Sequence, residues 1–457
     1  MASPPRSGER GQAVSGRYGT TDQATSGSGR YHRPVLFPRF PRLLPRLFPR
    51  RLEVALTLIA GLTLATASLS GCGSTGAAPA AGAVADSSPA GAVSMAPALT
   101  VTKASASASA SPSSSPAKSS APPPTVAALP SPGNPDGHAT IPAAAEAADT
   151  SDPTTVVGDG TAASCTSTAV VDAVARGGVI TFACGPSPVV ITMDATAKVS
   201  NTAQDVVLDG GGKVTLSGGG QHRILYMNTC DQAQTWTTSH CQDQEYPQLT
   251  LQNIAFTDGD STGQDAFGGG GGAVFASGGR LKIVNSRFTD NRCDSTGPDL
   301  GGAAVRALEQ WDGLPVYVVE STFGGGPGLG GICSNGGALS SIGVSWDVIN
   351  CVMSYNEAIG EGANPARSGT PGGGSGGAIY TDGDTYTLNV AGSVIEDNQA
   401  NEGGGAVFYV SDDRTGTLAI DDSTLSDNVN RGFSTAGYPG VFFLGQGSPE
   451  VSGSSLD

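Results

Sequence analysis

Apolar and polar residues alternate in short runs from about residue 156 to the end of the chain, and most runs stop at Gly, Asn or Asp. Alternation with a period of two puts the apolar residues of a strand on one face. The runs also repeat. A strand that ends in a polar residue or Gly recurs at Asn253, Asn285, Glu320, Asn350, Gly392, Asp422 and Gly453. The spacings between these positions are 32, 35, 30, 42, 30 and 31 residues. A repeat near 30 residues predicts one solenoid coil per repeat, which no single repeat could stabilise alone.

Two apolar columns define the interior of the predicted solenoid. The first contains Leu251, Ile283, Val318, Val348, Val390 and Ile420, followed beyond a corner by Phe256, Phe288, Phe323, Met353, Ile395 and Leu425. The second follows a repeated Gly-Gly-Ala and contains Val274, Ala304, Leu339, Ile379, Val407 and Val441. Coils stacked one strand spacing apart give an all-β fold, a parallel β-helix of about eight to ten coils. The general preference for right-handed crossovers predicts a right-handed one.

The start of a solenoid has to be covered, and the sequence offers a covering element. A short helix is predicted over residues 167–175, between Cys165 and Cys184. A disulfide between these two cysteines would hold an N-terminal capping helix over the first coil.

Paired motifs give this region a family resemblance. Gly271-Gly-Ala-Val274 with Phe288-Thr-Asp-Asn291, and Gly376-Gly-Ala-Ile379 with Ile395-Glu-Asp-Asn398, resemble the repeats of polymorphic outer membrane proteins and of the wider pectin-lyase-like β-helix group. The resemblance covers about residues 155–457. It implies a right-handed parallel β-helix, and it implies a coil geometry more than an activity.

The rest of the chain divides into three unlike parts. Residues 1–53 form a basic extension with ten Arg and three acidic residues. Residues 54–72 are mostly apolar and end in Leu69-Ser-Gly-Cys72, which resembles the lipobox of bacterial lipoproteins. We therefore expect a signal peptide and a lipid on Cys72. A transmembrane anchor is the alternative. Residues 73–155 are rich in Ala, Ser and Pro and are predicted to be a disordered tether. The β-helix domain then occupies 156–457. These parts predict a lipid-anchored protein on the extracellular face of the cell membrane, or a secreted one.

Charge narrows the partners of the folded region. Residues 54–457 hold 14 basic and 37 acidic residues, a net charge of −23. This acidity argues against nucleic acid as a partner. We therefore expect a polysaccharide or another cell-surface ligand.

Seven cysteines remain when Cys72 is set aside, an odd number for an oxidising compartment. We expect the pairs Cys165–Cys184 and Cys230–Cys241, which are close in sequence, and Cys293–Cys333, which fall in corresponding loops of successive coils. Cys351 stands in a column of serines at 286, 321, 393 and 423. It is therefore predicted to be the free thiol.

Two further columns are candidates for function. Asp258, Asp290, Asp397 and Asp427 recur two residues after the large apolar position, so they either bind a cation such as calcium or occupy tight corners. The residues that directly follow those of the second apolar column form a column of their own: Phe275, Val305, Ser340, Tyr380, Phe408 and Phe442. If this column faces outward, Tyr380, Phe408 and Phe442 form a strip for sugar rings; if it faces inward, they are core.

No complete catalytic motif is present. Polysaccharide-cleaving β-helix enzymes use clustered acids with basic residues, and the chain offers Arg280-Leu-Lys282 and the acid pairs at 412–413 and 421–422. A lyase site would have to join Arg280 to Asp258 and Asp290. We therefore predict a non-catalytic, surface-tethered β-helix that binds a glycan or another cell-surface ligand. A polysaccharide lyase or glycoside hydrolase is the first alternative, and a purely structural spacer is the second.

Overall fold

A computed structural model describes residues 129–234, 238–264 and 269–457. The predictions for the basic extension, the signal peptide, Cys72 and most of the tether lie outside these residues. The described part consists mainly of short β-strands with few helices. None of its helices is both long enough and apolar enough to cross a membrane.

The first half of the described strands covers residues 155–342. In chain order they are β1 Thr155–Val157, β2 Gly178–Phe182, β3 Val189–Thr192, β4 Ala197–Lys198, β5 Asp205–Ser217, β6 Leu225–Asn228, β7 Gln248–Thr257, β8 Val274–Ser277, β9 Arg280–Val284, β10 Arg287–Thr289, β11 Val305–Leu308, β12 Val316–Val319, β13 Thr322–Phe323, β14 Ile332–Cys333 and β15 Leu339–Ile342.

The second half covers residues 346–456. These strands are β16 Trp346–Ile349, β17 Val352–Ser354, β18 Glu357–Ala358, β19 Ile379–Asp382, β20 Thr387–Ala391, β21 Val394–Glu396, β22 Gln399–Ala400, β23 Val407–Val410, β24 Thr417–Asp421, β25 Thr424–Ser426, β26 Val429–Asn430, β27 Val441–Leu444, β28 Glu450–Ser452 and β29 Ser455–Leu456. The α-helix α1 is Ser167–Arg176, and short 3-10 turns lie at Ala143–Ala145, Ala162–Ser164, Gln232–Gln234, Cys241–Asp243 and Trp311–Gly313.

The strands form three parallel sheets. Sheet B has eight strands in the order β4, β6, β8, β11, β15, β19, β23 and β27, and sheet C has four in the order β14, β18, β22 and β26. The other seventeen strands form sheet A. Each sheet pairs strands from successive repeats, in parallel throughout. This pattern confirms the all-β parallel fold and is compatible with a solenoid.

The first predicted apolar column is confirmed residue by residue. Leu251, Ile283, Val318, Val348, Val390 and Ile420 are consecutive partners across sheet A and lie in the core. Beyond the corner, Phe256, Phe288 and Phe323 stack with ring centroids 5.0 and 4.6 Å apart. Period-two alternation predicted this register because the residues two apart along each strand lie on the same face.

The second column differs from its prediction at one coil. Val274 pairs with Val305, not with Ala304, and Val305 pairs with Leu339. The coil that starts at Gly301 has one more residue before its strand than its neighbours have. A shift of one residue exchanges the two faces of a strand. Arg306 therefore stands in the column to which the sequence assigned Val305.

Corners and ladders hold neighbouring coils together. The corner residues Asn253, Asn285 and Asn350 have φ values of 52°, 47° and 54°, a left-handed conformation that Asn tolerates well. A second set of asparagines is buried inside the coils: the Asn356 amide donates to Asn398 Oδ1, and the Asn398 amide donates to Asn428 Oδ1, both at 2.9 Å. These ladders satisfy polar groups that would otherwise be unpaired in the core.

The cysteine predictions are confirmed. Disulfides join Cys165 to Cys184, Cys230 to Cys241 and Cys293 to Cys333, with Cα atoms 5.7, 5.0 and 4.8 Å apart. Cys351 is a buried free thiol, and its backbone N–H donates to Ser393 Oγ in the predicted column of small residues.

The helix α1 begins at the predicted residue, where the Thr166 hydroxyl accepts a hydrogen bond from the backbone N–H of Ala169. Its C-terminal residue precedes Gly177, whose φ of 74° ends the helix. The helix packs Val170, Ala173 and Val174 into the main core. Burial of these side chains fixes the helix against the first strands.

The packed region begins earlier than the predicted boundary at residue 155. Residues 129–154, here called the strap, contain no β-strand, yet they lie on sheet A. Ala145 of the strap is fully buried against Val284, Val319 and Ile349. The expected tether therefore does not extend to residue 155. Ala-rich composition indicated disorder, but small side chains also suit a segment that fits closely against a sheet.

Candidate functional site

One column of sheet B carries an unusual set of side chains. Neighbouring strands bring into register Lys198, Tyr226, Phe275, Arg306, Ser340, Tyr380, Phe408 and Phe442. The residue before each of them from Tyr226 onward, such as Ile379 or Val407, belongs to the core. Because side chains alternate along a strand, this column points away from the core.

The aromatic part of the column is a continuous stack. The rings of Tyr380 and Phe408 are 5.0 Å apart and nearly parallel, and those of Phe408 and Phe442 are 5.1 Å apart. Phe433 meets the ring of Phe442 edge-on at 4.7 Å. Tyr380 is 0% exposed and Phe408 is 2% exposed, whereas Phe442 and Phe433 are partly exposed. The predicted three-ring strip is thus outward-facing, but loops cover its first two rings, so only the end at Phe442 and Phe433 is open to a ligand.

Arg306 lies in the same column and is 1% exposed. Its guanidinium donates hydrogen bonds to Ser340 Oγ and to the backbone carbonyl of Asp299. Its Nε has no partner, and no described carboxylate forms an ion pair with it. Burial lowers the pKa of Arg306 to about 10, while the negative charges of Asp299 and Asp382 oppose the change. A buried positive charge beneath two acidic side chains therefore draws them toward this point of the surface.

Above Arg306, four polar side chains converge; we call Asp299, Asn364, Tyr380 and Asp382 the Asp382 cluster. The Asn364 amide nitrogen lies 2.5 Å from Asp299 Oδ1, 2.7 Å from Asp382 Oδ2 and 3.0 Å from the Tyr380 hydroxyl. The Tyr380 hydroxyl donates to Asp382 Oδ2 at 3.2 Å. Asp299 is exposed, and Asn364 and Asp382 are half-buried. The two carboxylates thus meet through one shared amide at an accessible point.

Three separate segments supply the Asp382 cluster. Asp382 and Tyr380 belong to β19, Asp299 comes from the loop before β11, and Asn364 comes from the long connection between β18 and β19. The last connection is fixed by Arg367, whose guanidinium makes two hydrogen bonds of 2.6 and 2.7 Å to the Glu402 carboxylate. Glu402 also accepts from the Gly362 backbone N–H at 2.9 Å. This bidentate pair gives Asn364 a defined position.

Asp382 is electrostatically unusual. Burial, followed by the charges of Asp412 and Asp299, raises its pKa to about 6, although the backbone N–H of Gly383 and the Tyr380 hydroxyl favour the carboxylate. Burial also raises the pKa of Tyr380, so its hydroxyl stays protonated. Near pH 6 the Asp382 side chain can therefore act as either a donor or an acceptor.

The predicted acidic column has a structural explanation. Asp258, Asp290, Asp397 and Asp427 have φ values of 50°, 53°, 54° and 54°, so each forms a left-handed corner. Burial and the neighbouring charge of Asp258 raise the pKa of Asp290. Across the described residues, no three acidic, His or Cys side chains are grouped to hold a metal ion. The corner interpretation accounts for these residues.

The catalytic candidates are spread over the fold. Arg280 begins β9, while Asp290 follows β10 at the other end of the same repeat. The Lys282 ammonium donates to the backbone carbonyl of Glu146 in the strap at 2.7 Å. The charge of Asp412 raises the pKa of Asp382, and the Asp412 backbone N–H donates to the Gly383 carbonyl at 2.6 Å. Asp413 is held by hydrogen bonds from the Thr415 side chain and backbone, which lower its pKa to about 2.

A separate cavity of about 340 Å³ is lined by Asp243, Glu309 and Asp312, together with polar and small residues. Asp243 Oδ1 accepts a hydrogen bond from the backbone N–H of Asp312 at 2.8 Å. Burial and the charge of Asp243 raise the pKa of Glu309. No basic or aromatic residue is among those that line it, so the Asp382 cluster is the better candidate for ligand recognition.

Sequence reasoning missed Asp299, Asn364 and Asp382. One signal was available, because the spacing of 42 residues between Asn350 and Gly392 exceeds the others and marks an insertion within that repeat. Insertions in solenoid repeats fall in loops, and loops frequently carry function. The pairing of Asn364 with Asp299 and Asp382 depends on folding across 65 and 18 residues.

No family model, curated protein or solved structure matches the chain.

Proposed function

We propose that this protein is a non-catalytic β-helix that is displayed at the cell surface and binds a glycan on the outer face of sheet B. The observation that carries the proposal is the convergence of Asp299, Asn364 and Asp382, from three segments, at one accessible point beside an aromatic stack. Such a convergence of polar groups around an apolar surface is typical of small-ligand sites.

The chemistry of the site suits a sugar. Each sugar hydroxyl both donates and accepts. The carboxylates of Asp299 and Asp382 and the amide oxygen of Asn364 are acceptors for it, whereas the Asn364 nitrogen already donates within the cluster. The partly exposed rings of Phe442 and Phe433 present apolar surface to the C–H face of a pyranose. The glycan would then contact the polar cluster and the open aromatic end, which are separated by the coil of Phe408.

The finer architecture and the route to the surface belong to the same proposal. The coils are right-handed and number about eight to ten, as the resemblance to pectin-lyase-like β-helices implies, and α1 covers the first of them. Lipid attachment at Cys72 and the residues before the strap would hold the domain outside the membrane. Three disulfides support an oxidising compartment.

A glycan array with the purified protein tests binding, followed by calorimetric titration of the best ligand. Asn364→Ala and Phe442→Ala are expected to weaken binding at least about tenfold, since each removes a contact worth about 1.4 kcal/mol or more. Asp384→Asn is the matched control, because Asp384 is exposed and lies just outside the cluster. Equal affinity of all three variants and the parent protein would show that the ligand binds elsewhere.

A glycoside hydrolase is the second candidate function, and one observation favours it. Asp382, with a pKa near 6, faces Asp299 across the shared Asn364 amide. Acid–base cleavage of a glycosidic bond requires a carboxyl group that can hold a proton near neutral pH and a second carboxyl group close to it. Arg306 is too buried to serve as the base of a lyase. Release of reducing ends from a polysaccharide panel without unsaturated products, abolished by Asp382→Asn, would establish the hydrolase and refute the non-catalytic function.

A further inference from the structure

The outer surface of sheet A carries an apolar column that a strand facing water would not have. Val284, Val319 and Ile349 are partners in adjacent strands, next to Ile283, Val318 and Val348, which face the core. The first three residues are 5%, 0% and 6% exposed. The strap covers them, and Ala139, Ile141 and Ala145 of the strap pack against this column.

Amide side chains bind the backbone of the strap at two points. Asn350 Oδ1 accepts from the Ala139 N–H at 2.9 Å, and its amide donates to the Ala139 carbonyl at 3.0 Å. Gln252 repeats this arrangement with Ala148, at 2.8 and 3.1 Å. Each amide thus takes the place of a neighbouring strand, pairing both polar groups of one strap residue.

Three further side chains bind strap carbonyls. The Lys282 ammonium donates to Glu146, the Arg287 Nε donates to Pro130 at 2.7 Å, and the Thr322 hydroxyl donates to Ser131 at 2.8 Å. These contacts address the backbone of the strap. Two strap side chains also bind sheet A, since the Asn134 amide donates to the Gly392 carbonyl at 2.9 Å and the Thr150 hydroxyl donates to Asp209 Oδ2 at 2.8 Å. Size is a further source of selectivity, because Ala145 is fully buried against the sheet.

We propose that this surface, formed by Gln252, Lys282, Val284, Arg287, Val319, Thr322, Ile349 and Asn350, is a peptide-binding groove whose ligand is an alanine-rich segment with small residues at the positions of Ala139 and Ala145. The strap is its built-in occupant and is displaceable, since it joins no β-ladder. Covalent attachment gives the strap a high effective concentration, which keeps the groove filled in the intact chain. This site is distinct from the one on sheet B and does not depend on glycan binding.

The test uses the full chain with a specific protease site inserted between Ser151 and Pro153, where the strap is exposed. After cleavage, a fluorescein-labelled peptide of residues 129–150 is added, and its exchange into the groove is followed by fluorescence anisotropy. We expect saturable one-to-one binding to the cut protein and at least tenfold weaker binding to the uncut protein. The peptide with His138→Ala should bind like the parent, because His138 is exposed.

Two variants separate this groove from nonspecific association. The peptide with Ala145→Trp should lose binding to the unaltered protein, and Lys282→Ala in the cut protein should weaken it several-fold. Retention of circular dichroism after cleavage shows that the sheets persist. If the labelled peptide fails to bind the cut protein, or binds equally well with Ala145→Trp, the peptide-binding groove is refuted.

Discussion

Replacing Asp382 by Asn should make the protein more stable near neutral pH while it damages the proposed site. Asn has the same shape and keeps one acceptor, for the Gly383 N–H that lies 2.8 Å from Asp382 Oδ1, but its amide nitrogen replaces Oδ2, which lies 2.7 Å from the Asn364 amide nitrogen. It removes the negative charge that burial, Asp412 and Asp299 disfavour. Polar groups arranged for function commonly cost stability in this way.

The size and the pH dependence of the effect follow from the pKa of Asp382. Its rise from the ordinary 3.8 to about 6 means that the folded protein binds more protons than the unfolded chain between these pH values. Stability therefore falls as pH rises through this window, and the full penalty applies above pH 6. The shift corresponds to about 3 kcal/mol, which water reduces because it screens a partly exposed group. The variant also loses the acceptor for the Asn364 amide, which costs about 1 kcal/mol, so we expect a net gain of about 1 kcal/mol.

Guanidinium unfolding at two pH values measures the difference in the free energy of unfolding between Asp382→Asn and the parent protein. At about pH 7.5 the variant should be more stable by the stated amount. At about pH 3.5 the difference should be under about 0.5 kcal/mol, since Asp382 is then mostly protonated in both states. Asp384→Asn is the control and should change stability by less than about 0.5 kcal/mol at either pH. A variant that is less stable than the parent at pH 7.5 would show that Asp382 is a stabilising carboxylate and that its assigned electrostatics are incorrect.

Three more predictions concern other parts of the chain. Asn398→Asp should lower the free energy of unfolding by about 3 kcal/mol or more in denaturant unfolding. The reason is that it replaces an amide donor that faces three acceptors, Met353 O, Glu396 O and Asn428 Oδ1. A loss of under about 1 kcal/mol would contradict the buried asparagine ladder. Cys351, whose pKa burial raises to about 12, should resist iodoacetamide in the native protein and react once it is unfolded, as mass spectrometry will show; rapid native labelling would place the thiol at the surface. Cys72→Ser should release the protein from the membrane fraction on immunoblots, and a variant that stays bound would favour the transmembrane anchor.

The repeat, its register and its covalent links were readable in the sequence. Leu251, Ile283 and Val318 recur at one position of successive repeats, and only a parallel stack can bury them together. Cys351 was recognisable because the neighbouring repeats have a serine at its place, at 286, 321, 393 and 423. These features are periodic, so each repeat carries the same information and the pattern survives single departures.

Two features outside the period needed the tertiary structure. One extra residue before β11 moved Arg306 into the outward column. The strap was predicted to be disordered because alanine alone buries little area, yet the doublets Ile283-Val284, Val318-Val319 and Val348-Ile349 put apolar residues on both faces of sheet A. Such doublets signal that the outer face is covered, but they do not say by which segment.

The Asp382 cluster was the least accessible to sequence reasoning. Asp299, Asn364 and Asp382 lie in different segments and follow no common spacing, because loops, unlike coils, are not constrained by stacking. Their meeting depends on the Arg367–Glu402 pair, which fixes one long connection, and on the buried Arg306 beneath them. Local alternation determines which face of a strand is buried, whereas contacts between distant loops form only when the whole stack of coils brings them to one side.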